Sequence, residues 1–200
     1  MQALRSSLLS AYYYGSLPLR WWLRRRAVRR RMAPIAVLFY HRVADDRPGP
    51  WTMSCRDFAR QIDWLERNFE LVSLEETQRR LRNGQNDRPA VAITFDDGYA
   101  DNCRYALPLL AQRRIPTTYF VTTQHILHGQ PFPHDVARGA PLKPNTLSQL
   151  RELAGSTIEI GAHTRTHCDL GATRSPHKLY DEVVAAGEEL QSALGRAVRY

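Results

Sequence analysis

The sequence predicts an α/β fold in which parallel strands alternate with packed helices from residue 34 onward. Three observations carry that prediction. The run Ala90-Val-Ala-Ile-Thr-Phe95 is continuously apolar, as a strand covered on both faces should be. It runs straight into Asp96-Asp97-Gly98, and a later strand pattern at 157–160 runs into Gly161-Ala162-His163; polar residues thus gather at strand ends, where α/β folds carry their sites. Between the apolar runs lie amphipathic stretches that begin with capping residues.

In chain order, Ile35-Ala-Val-Leu-Phe-Tyr40 reads as a buried strand ending at His41, followed by a Pro/Gly/Asp-rich loop at 45–50. Ser54 can cap a helix over 55–68, since Phe58, Ile62, Leu65 and Phe69 fall on one stripe. Ser73 and Glu76 form a capping-box pattern for a helix through Asn83. After the strand at 90–95, a helix is predicted around 104–114 and a strand at 117–121. Residues 124–144 hold four prolines, two glycines and three histidines and read as a long irregular loop, a kind of segment that is usually functional or mobile. A helix at 146–154 precedes the strand at 157–160. Ser175-Pro176 pairs an N-cap with proline at the first helical position, so a helix should run to Leu194 and stop at Gly195. Val198 and Tyr200 look like the start of another strand.

With 200 residues and 43% hydrophobic content, the chain can bury one core. We read residues 1–33 as an extension and 34–200 as a single domain. Residues 1–44 hold nine arginines and no acid. Removing those nine charges from the net +8 leaves the rest at −1, so the basic character belongs to the extension and implies no basic groove on the body. Tyr12, Tyr13, Tyr14, Trp21 and Trp22 lie before and within the arginine cluster. Aromatic rings mixed with basic residues suit a lipid headgroup interface, and a solvated, partly helical extension is the alternative. Nucleic acid is not an expected partner, because charge alone gives only nonspecific, salt-sensitive affinity. No apolar stretch of about 20 residues is present to span a bilayer. A secretory signal fits badly, because the arginines from Arg24 to Arg31 follow the apolar run rather than precede it. A cytoplasmic or membrane-associated location is therefore favoured over secretion. Cys55, Cys103 and Cys168 are odd in number and widely spaced, which gives neither a disulfide framework nor a metal knuckle.

The chemistry lies in two motifs. In Thr94-Phe95-Asp96-Asp97-Gly98, one carboxylate can bind a cation while its neighbour stays free to take a proton; an Asp-Asp-Gly turn is also common surface punctuation. About 65 residues later, His163-Thr-Arg-Thr-His167 spaces two imidazoles so that both can reach one metal. One carboxylate and two imidazoles leave positions open for water and substrate, as a catalytic metal requires. Thr164 is suited to hydrogen-bond within the histidine loop. His41, at the end of the first strand, is read as a structural histidine ahead of one that faces the site, His134 and Asp135 equally as sugar contacts or as exposed loop residues, and Cys168 as too close in sequence to His167 to ligate the same ion.

In combination, a strand-terminal TFDDG followed by a strand-terminal HTRTH resembles the polysaccharide deacetylases, the NodB-homology group of the carbohydrate esterases. The resemblance spans about residues 34–200 and includes Tyr40-His41-Arg42-Val43 after the first strand. It implies a distorted (β/α) barrel with fewer regular strands than an eight-fold one. It also implies Asp96 as the catalytic base, and Asp97, His163 and His167 as ligands of a divalent metal, commonly zinc. The implied reaction releases acetate from N-acetyl groups, with O-acetyl as a variant, on an acetylated polysaccharide or oligosaccharide. Members of that family continue with an arginine- and proline-containing motif, which Arg196-Ala-Val-Arg199-Tyr200 approaches, and then with an acidic motif and a Leu-x-His segment that supplies the general acid. On that reading the 200 residues lack the C-terminal strands. The metal site should assemble but turnover should be weak, by the roughly 10² to 10⁴-fold that general acid catalysis supplies. A glycan-binding fragment without turnover is the alternative. Phosphoryl transfer through a magnesium site on the paired acids is disfavoured, since magnesium prefers oxygen ligands.

Overall fold

The structure, a computed structural model, describes residues 2–153 and 157–200, with side chains described from Ser7 onward. Two helices, α1 (Gln2–Gly15) and α2 (Leu17–Arg29), precede the body. Then follow β1 (Ile35–Tyr40), β2 (Arg42–Val43), β3 (Thr52–Met53), α3 (Cys55–Asn68), β4 (Glu70–Leu71), α4 (Leu74–Asn83) and β5 (Ala90–Phe95). A 3₁₀ turn (Ala100–Cys103) leads to α5 (Ala106–Gln112), β6 (Thr117–Val121), α6 (Thr123–His128), α7 (Pro133–Ala137), α8 (Leu147–Leu153) and β7 (Ile158–Ala162). The last helix runs from α9 (Pro176–Tyr180) through a π-helical turn (Asp181–Ala185) into α10 (Ala186–Leu194).

All pairings in the main sheet are parallel, in the order β1-β5-β6-β7, with β4 pairing to the start of β5. Parallel neighbours joined by helical crossovers bring every strand's carboxyl end to the same edge. His41, Asp96, Thr122 and His163, each directly following a strand, therefore share that edge.

The core forms where the apolar stripes meet. Phe58, Ile62 and Leu65 of α3 pack with Val91, Ile93 and Phe95 of β5, Tyr119 of β6 and Leu107 and Leu110 of α5. Every residue of β5 is buried. Its other face carries the small side chains Ala90 and Ala92, packed with Val72. The caps behave as the sequence indicates: Ser54 accepts from the Asp57 amide, Ser73 from Glu76 and Ser175 from Lys178, while Gly195 stops the last helix at φ 69.

Several expectations need correction. β1 is not a buried strand: Val37 and Phe39 are about half exposed, because β1 lies at the end of the strand order and only β5 pairs with it among the described residues. Residues 124–144 are not irregular throughout. They contain α6 and α7, each under two turns and so too short to show a helical period. The helix foreseen at 104–114 is the shorter α5, with a 3₁₀ turn ahead of it at Ala100–Cys103. β7 continues through Gly161 and Ala162. The foreseen end of the 146–154 helix, Ala154, lies outside the described residues. Residues 198–200 form no assigned strand, yet the Tyr200 carbonyl accepts from the Ala162 amide at 2.8 Å along the edge of β7.

Arg42 joins two of the loops at the carboxyl edge. Its side chain is 1% exposed. It donates to Asp101 at 2.7 Å, to the Asp46 carboxylate at 2.6 Å, and to the carbonyls of Asp46 and Arg47. Breaking a buried ion pair from one side costs about 3 kcal/mol, because the other charge is left uncompensated. Arg42→Ala is therefore expected to lower unfolding stability by about 3 kcal/mol, read as a shift in the urea midpoint. A shift equivalent to less than about 0.5 kcal/mol, the size of an ordinary surface substitution, would remove Arg42 from this role.

Candidate metal centre

β5 delivers the two acids. The Asp96 amide donates to the Tyr40 carbonyl at 2.8 Å, extending the β1–β5 ladder by one rung. The chain then reverses: the Gly98 amide donates to the Asp96 carbonyl at 2.9 Å, with Asp97 at φ 74 between them. An i to i+2 bond around a positive φ is the γ-turn of the rare, strained hand. Gly98 follows at φ 94, where a Cβ would stand 3.1 Å from Ile126 and Val121. Only glycine meets both demands without strain. The turn directs the Asp97 carboxyl inward, where it is 4% exposed.

β7 delivers the histidines. The His163 amide donates to the Val121 carbonyl at 2.9 Å, continuing the β6–β7 register. Thr164 and His167 both have positive φ, 61 and 60, and the Thr164 hydroxyl accepts from the His167 amide at 3.0 Å. The bond lies within the histidine loop, where the sequence places the hydroxyl of Thr164. On the other side, the Thr123 and Gln124 amides donate to the carbonyls of Thr164 and Arg165. Of the six non-glycine residues with positive φ among the described residues, Asp97, Thr164 and His167 are three. Backbone strain of this kind persists only where surrounding contacts enforce it, and it concentrates at functional sites.

The two motifs converge. His167 Nε2 lies 3.2 Å and His163 Nε2 3.6 Å from Asp97 Oδ1, and the three ligand atoms all lie within 4.8 Å of one another. Bonds of about 2.0–2.1 Å in a tetrahedral site place neighbouring ligand atoms roughly 3.4 Å apart, so the two distances bracket that spacing. Asp97 Oδ1 is buried yet makes no hydrogen bond of acceptable geometry. A buried carboxylate oxygen left so is costly, and two imidazole nitrogens facing it at this range complete a donor set that fits one cation. Cys168 is not part of the group: its sulfur lies 3.9 Å from the Thr173 hydroxyl.

Charge around the trio is uneven. Burial pushes Asp96 up to about 6; the adjacent Asp97 charge adds to this, while His41 and His167 oppose it. Burial also acts to raise Asp97, but the His167 contact and the charges of His167, His41 and His163 outweigh it and hold the group below its ordinary value. Burial lowers His163, only partly offset by Asp97. The contact with Asp97 raises His167 against burial. Two adjacent carboxyls are thus pushed apart, one toward a proton acceptor working near neutrality and one toward a fixed anion.

Other residues at this edge were placed differently by the sequence, or not foreseen. His41 stacks on Trp51, ring centroids 4.7 Å apart, and lies close enough to act on both acids. Asp135 is no exposed loop residue: it is 6% exposed and accepts from the Tyr99 hydroxyl at 3.0 Å. His134, close to that hydroxyl, approaches His167 with ring centroids 6.0 Å apart, and the buried Phe132 ring meets His167 edge-on. A cavity of about 220 Å³ opens beside the trio rather than on it, lined by Trp51, Tyr99, His134 and Arg138 among others but by none of Asp96, Asp97, His163 and His167. Asn102, fully buried, accepts from the Val43 amide and donates to the His41 carbonyl.

Sequence reasoning missed Glu182 entirely. From the π-helical turn, its buried carboxylate accepts from the amides of Arg165 and Thr166 at 3.1 and 2.9 Å and from the Thr166 hydroxyl at 2.6 Å. It braces the loop between the two histidines. Burial alone acts to raise this carboxyl, but the bonds from Thr166 and Arg165 hold it below its ordinary value. The motif spacing gives no signal for it, because the contact depends on how the last helix packs.

Comparison with known proteins adds the following. A family profile described as polysaccharide deacetylase matches residues 83–200. A Bacillus subtilis (strain 168) protein provisionally named a polysaccharide deacetylase is 28% identical over 142 residues, covering 69% of this chain and 45% of that protein. The chitooligosaccharide deacetylase of Bradyrhizobium sp. (strain ANU 289) is 30% identical over 130 residues, covering 64% and 51%. The chain thus spans about half the length of the curated relatives it matches. Among solved structures, a Streptococcus pyogenes deacetylase in complex with acetate superposes with a TM-score of 0.68 at 24% identity, covering 82% of this chain and 70% of that one. That likeness supports the fold.

Proposed function

Since the chain belongs to the polysaccharide deacetylase family, its matched segment covering more than half of the 200 residues, we propose that this site hydrolyses acetyl groups on an amino-sugar polymer or oligomer with the help of one divalent metal ion. The observation that carries the reading is the buried, unbonded Asp97 Oδ1 faced by His163 and His167. One carboxylate and two imidazoles favour zinc or another transition metal over magnesium. When bound, such an ion supplies Lewis acidity to the acetyl carbonyl and to the attacking water.

The chain's own residues do the rest. Asp97, His163 and His167 hold the ion at the carboxyl edge of the sheet. Asp96, beside them, takes the proton from the water as its oxygen bonds to the acetyl carbon. The carbon–nitrogen bond then breaks with its electron pair going to nitrogen, which takes a proton from solvent or the one held by Asp96, so that the free amino sugar and acetate are released. With the ion in place, its positive charge beside Asp96 would keep that carboxyl from retaining a proton too tightly. The cavity lined by Trp51 and Tyr99 is small against the roughly 300–1,000 Å³ of drug-sized pockets and suits a single ring, with the exposed Trp51 as a stacking surface. The relative named as a chitooligosaccharide deacetylase supports N-acetylated glucosamine oligomers as the substrate class.

The test is acetate release from chitooligosaccharides and poly-N-acetylglucosamine, with and without a chelator. Release that disappears on chelation and returns with zinc supports the proposal. Release indifferent to the chelator defeats the metal assignment, and glycan binding without any acetate defeats hydrolysis in favour of a binding role.

Glu182 gives a separate check. Outer groups that orient metal ligands typically contribute about 10- to 100-fold in affinity. Glu182→Gln exchanges an acceptor oxygen for a donor facing two amides and should weaken zinc binding by that amount, measured against a chelating dye. Glu182→Asp should recover part of the loss. Unchanged affinity in both variants would show that the histidine loop holds its shape without this carboxylate.

A further inference from the structure

Twelve of the 23 exposed large apolar side chains among the described residues lie between residues 8 and 32, although that stretch is only an eighth of the chain. None of the residues of α2 is buried, and Trp21 and Trp22 are 56% and 50% exposed. The segment touches the body at few points: the Arg24 guanidinium lies 5.7 Å from the Phe69 ring, and Arg31 pairs with Asp87 at 2.7 Å. Concentrated apolar exposure of this kind marks an interaction surface.

We propose that α1 and α2 form an arm that docks on the surface of an anionic phospholipid bilayer. Charge complementarity selects that partner: residues 1–33 hold eight arginines and no acid. Arginines and aromatic rings are already paired, with Arg25 3.7 Å over Trp21, Arg26 5.4 Å from Trp22 and Arg20 4.3 Å over Tyr13. Such pairs fit the headgroup layer, where the ring enters the interface and the guanidinium meets lipid phosphate, often through two parallel hydrogen bonds.

The other occupants fit less well. A second copy would set the eight arginines of residues 1–33 against eight, a like-charge repulsion that opposes self-association through the arm. A nucleic acid would meet the arginines but offer nothing to Leu8, Leu9, Leu19 and Leu23, all exposed here. Spanning is excluded for α2, whose 13 residues measure roughly 20 Å against about 30 Å of hydrocarbon, and no described helix is long and apolar enough to cross a membrane. Arginines are distributed along α2 rather than confined to one face, so the arm rests at headgroup depth.

The experiment is vesicle co-sedimentation of the whole chain, comparing phosphatidylcholine alone with phosphatidylcholine containing phosphatidylglycerol. Near an anionic surface even two engaged arginines contribute about thirtyfold, so binding at least ten times tighter to the anionic vesicles, about that order and weakened by salt, is expected. Trp21→Ala with Trp22→Ala should reduce it further, with the circular dichroism melting curve of the body unchanged. Equal partitioning to both vesicle types overturns the proposal. So does binding that ignores the tryptophan substitutions, which would mark a plain polycation able to hold DNA equally well, and so does solution dimerisation without vesicle binding. None of these outcomes depends on acetate release, so they bear on the arm alone.

Discussion

Asp97→Asn is expected to abolish metal retention and to lower acetate release by at least about a thousandfold. A metal acting as Lewis acid supplies several kcal/mol of transition-state stabilisation; at 1.4 kcal/mol per factor of ten, losing about 4 kcal/mol gives a factor near 10³. The amide keeps the shape of the carboxyl but not its charge, and that charge is what draws both histidines into one site. Asparagine also tolerates the left-handed backbone better than most residues, so the γ-turn at φ 74 should survive. The fold should therefore be kept while the site is lost. Zinc content after dialysis, acetate release and the thermal melt check this together. Stoichiometric zinc with full activity would mean that Asp97 is not a ligand; loss of the cooperative melt would mean that its role is architectural. His163→Ala and His167→Ala should behave alike in metal retention, which a purely structural pair would not.

How far the sequence disclosed this molecule depended on the kind of signal. β5 and β6 were delimited to the residue because their runs of apolar, aromatic and β-branched residues start directly after a proline and stop at a polar residue. α3 and α4 were equally legible, since Ser54 and Ser73 announce their starts through cap bonds that need no tertiary partner. β1 is as apolar a run as β5, yet half-exposes Val37 and Phe39; burial is set by neighbours, and composition does not carry it. α6 and α7 escaped because five or six residues cannot establish a 3.6-residue period. The trio at the site was visible because each member belongs to a local motif at a strand end. Glu182 was not, because it reaches the histidine loop from a helix that begins nine residues beyond His167. The burial of Asp135 escaped for a related reason: its partner, the Tyr99 hydroxyl, comes from another segment.

Asp96→Asn should separate chemistry from stability. As the base it would contribute about 10² to 10⁴-fold in rate, and the substitution should cost that much while leaving zinc bound, because the three ligand atoms come from other residues. The acid limb of the rate profile should go with it: a base works only when unprotonated, so the native rate rises with pH as Asp96 ionises, and the variant should show no such rise from this group. Stability should move the opposite way. In the metal-free protein, burial lifts Asp96 to about 6, above the roughly 3.9 of an unfolded aspartate. Between those values the folded state binds the extra proton, so the carboxyl's contribution to stability is greatest at low pH and falls as pH rises toward about 6. At pH 7 the ionised, half-desolvated group then destabilises the fold by about 2 kcal/mol, after allowance for screening at its open side. Asparagine carries no charge to desolvate and should recover much of that, raising the melting temperature at pH 7 and hardly at all at pH 4. A variant that is slower and equally stable at both pH values would show that Asp96 carries no strained charge; one that is more stable and equally fast would show that the proton is taken elsewhere.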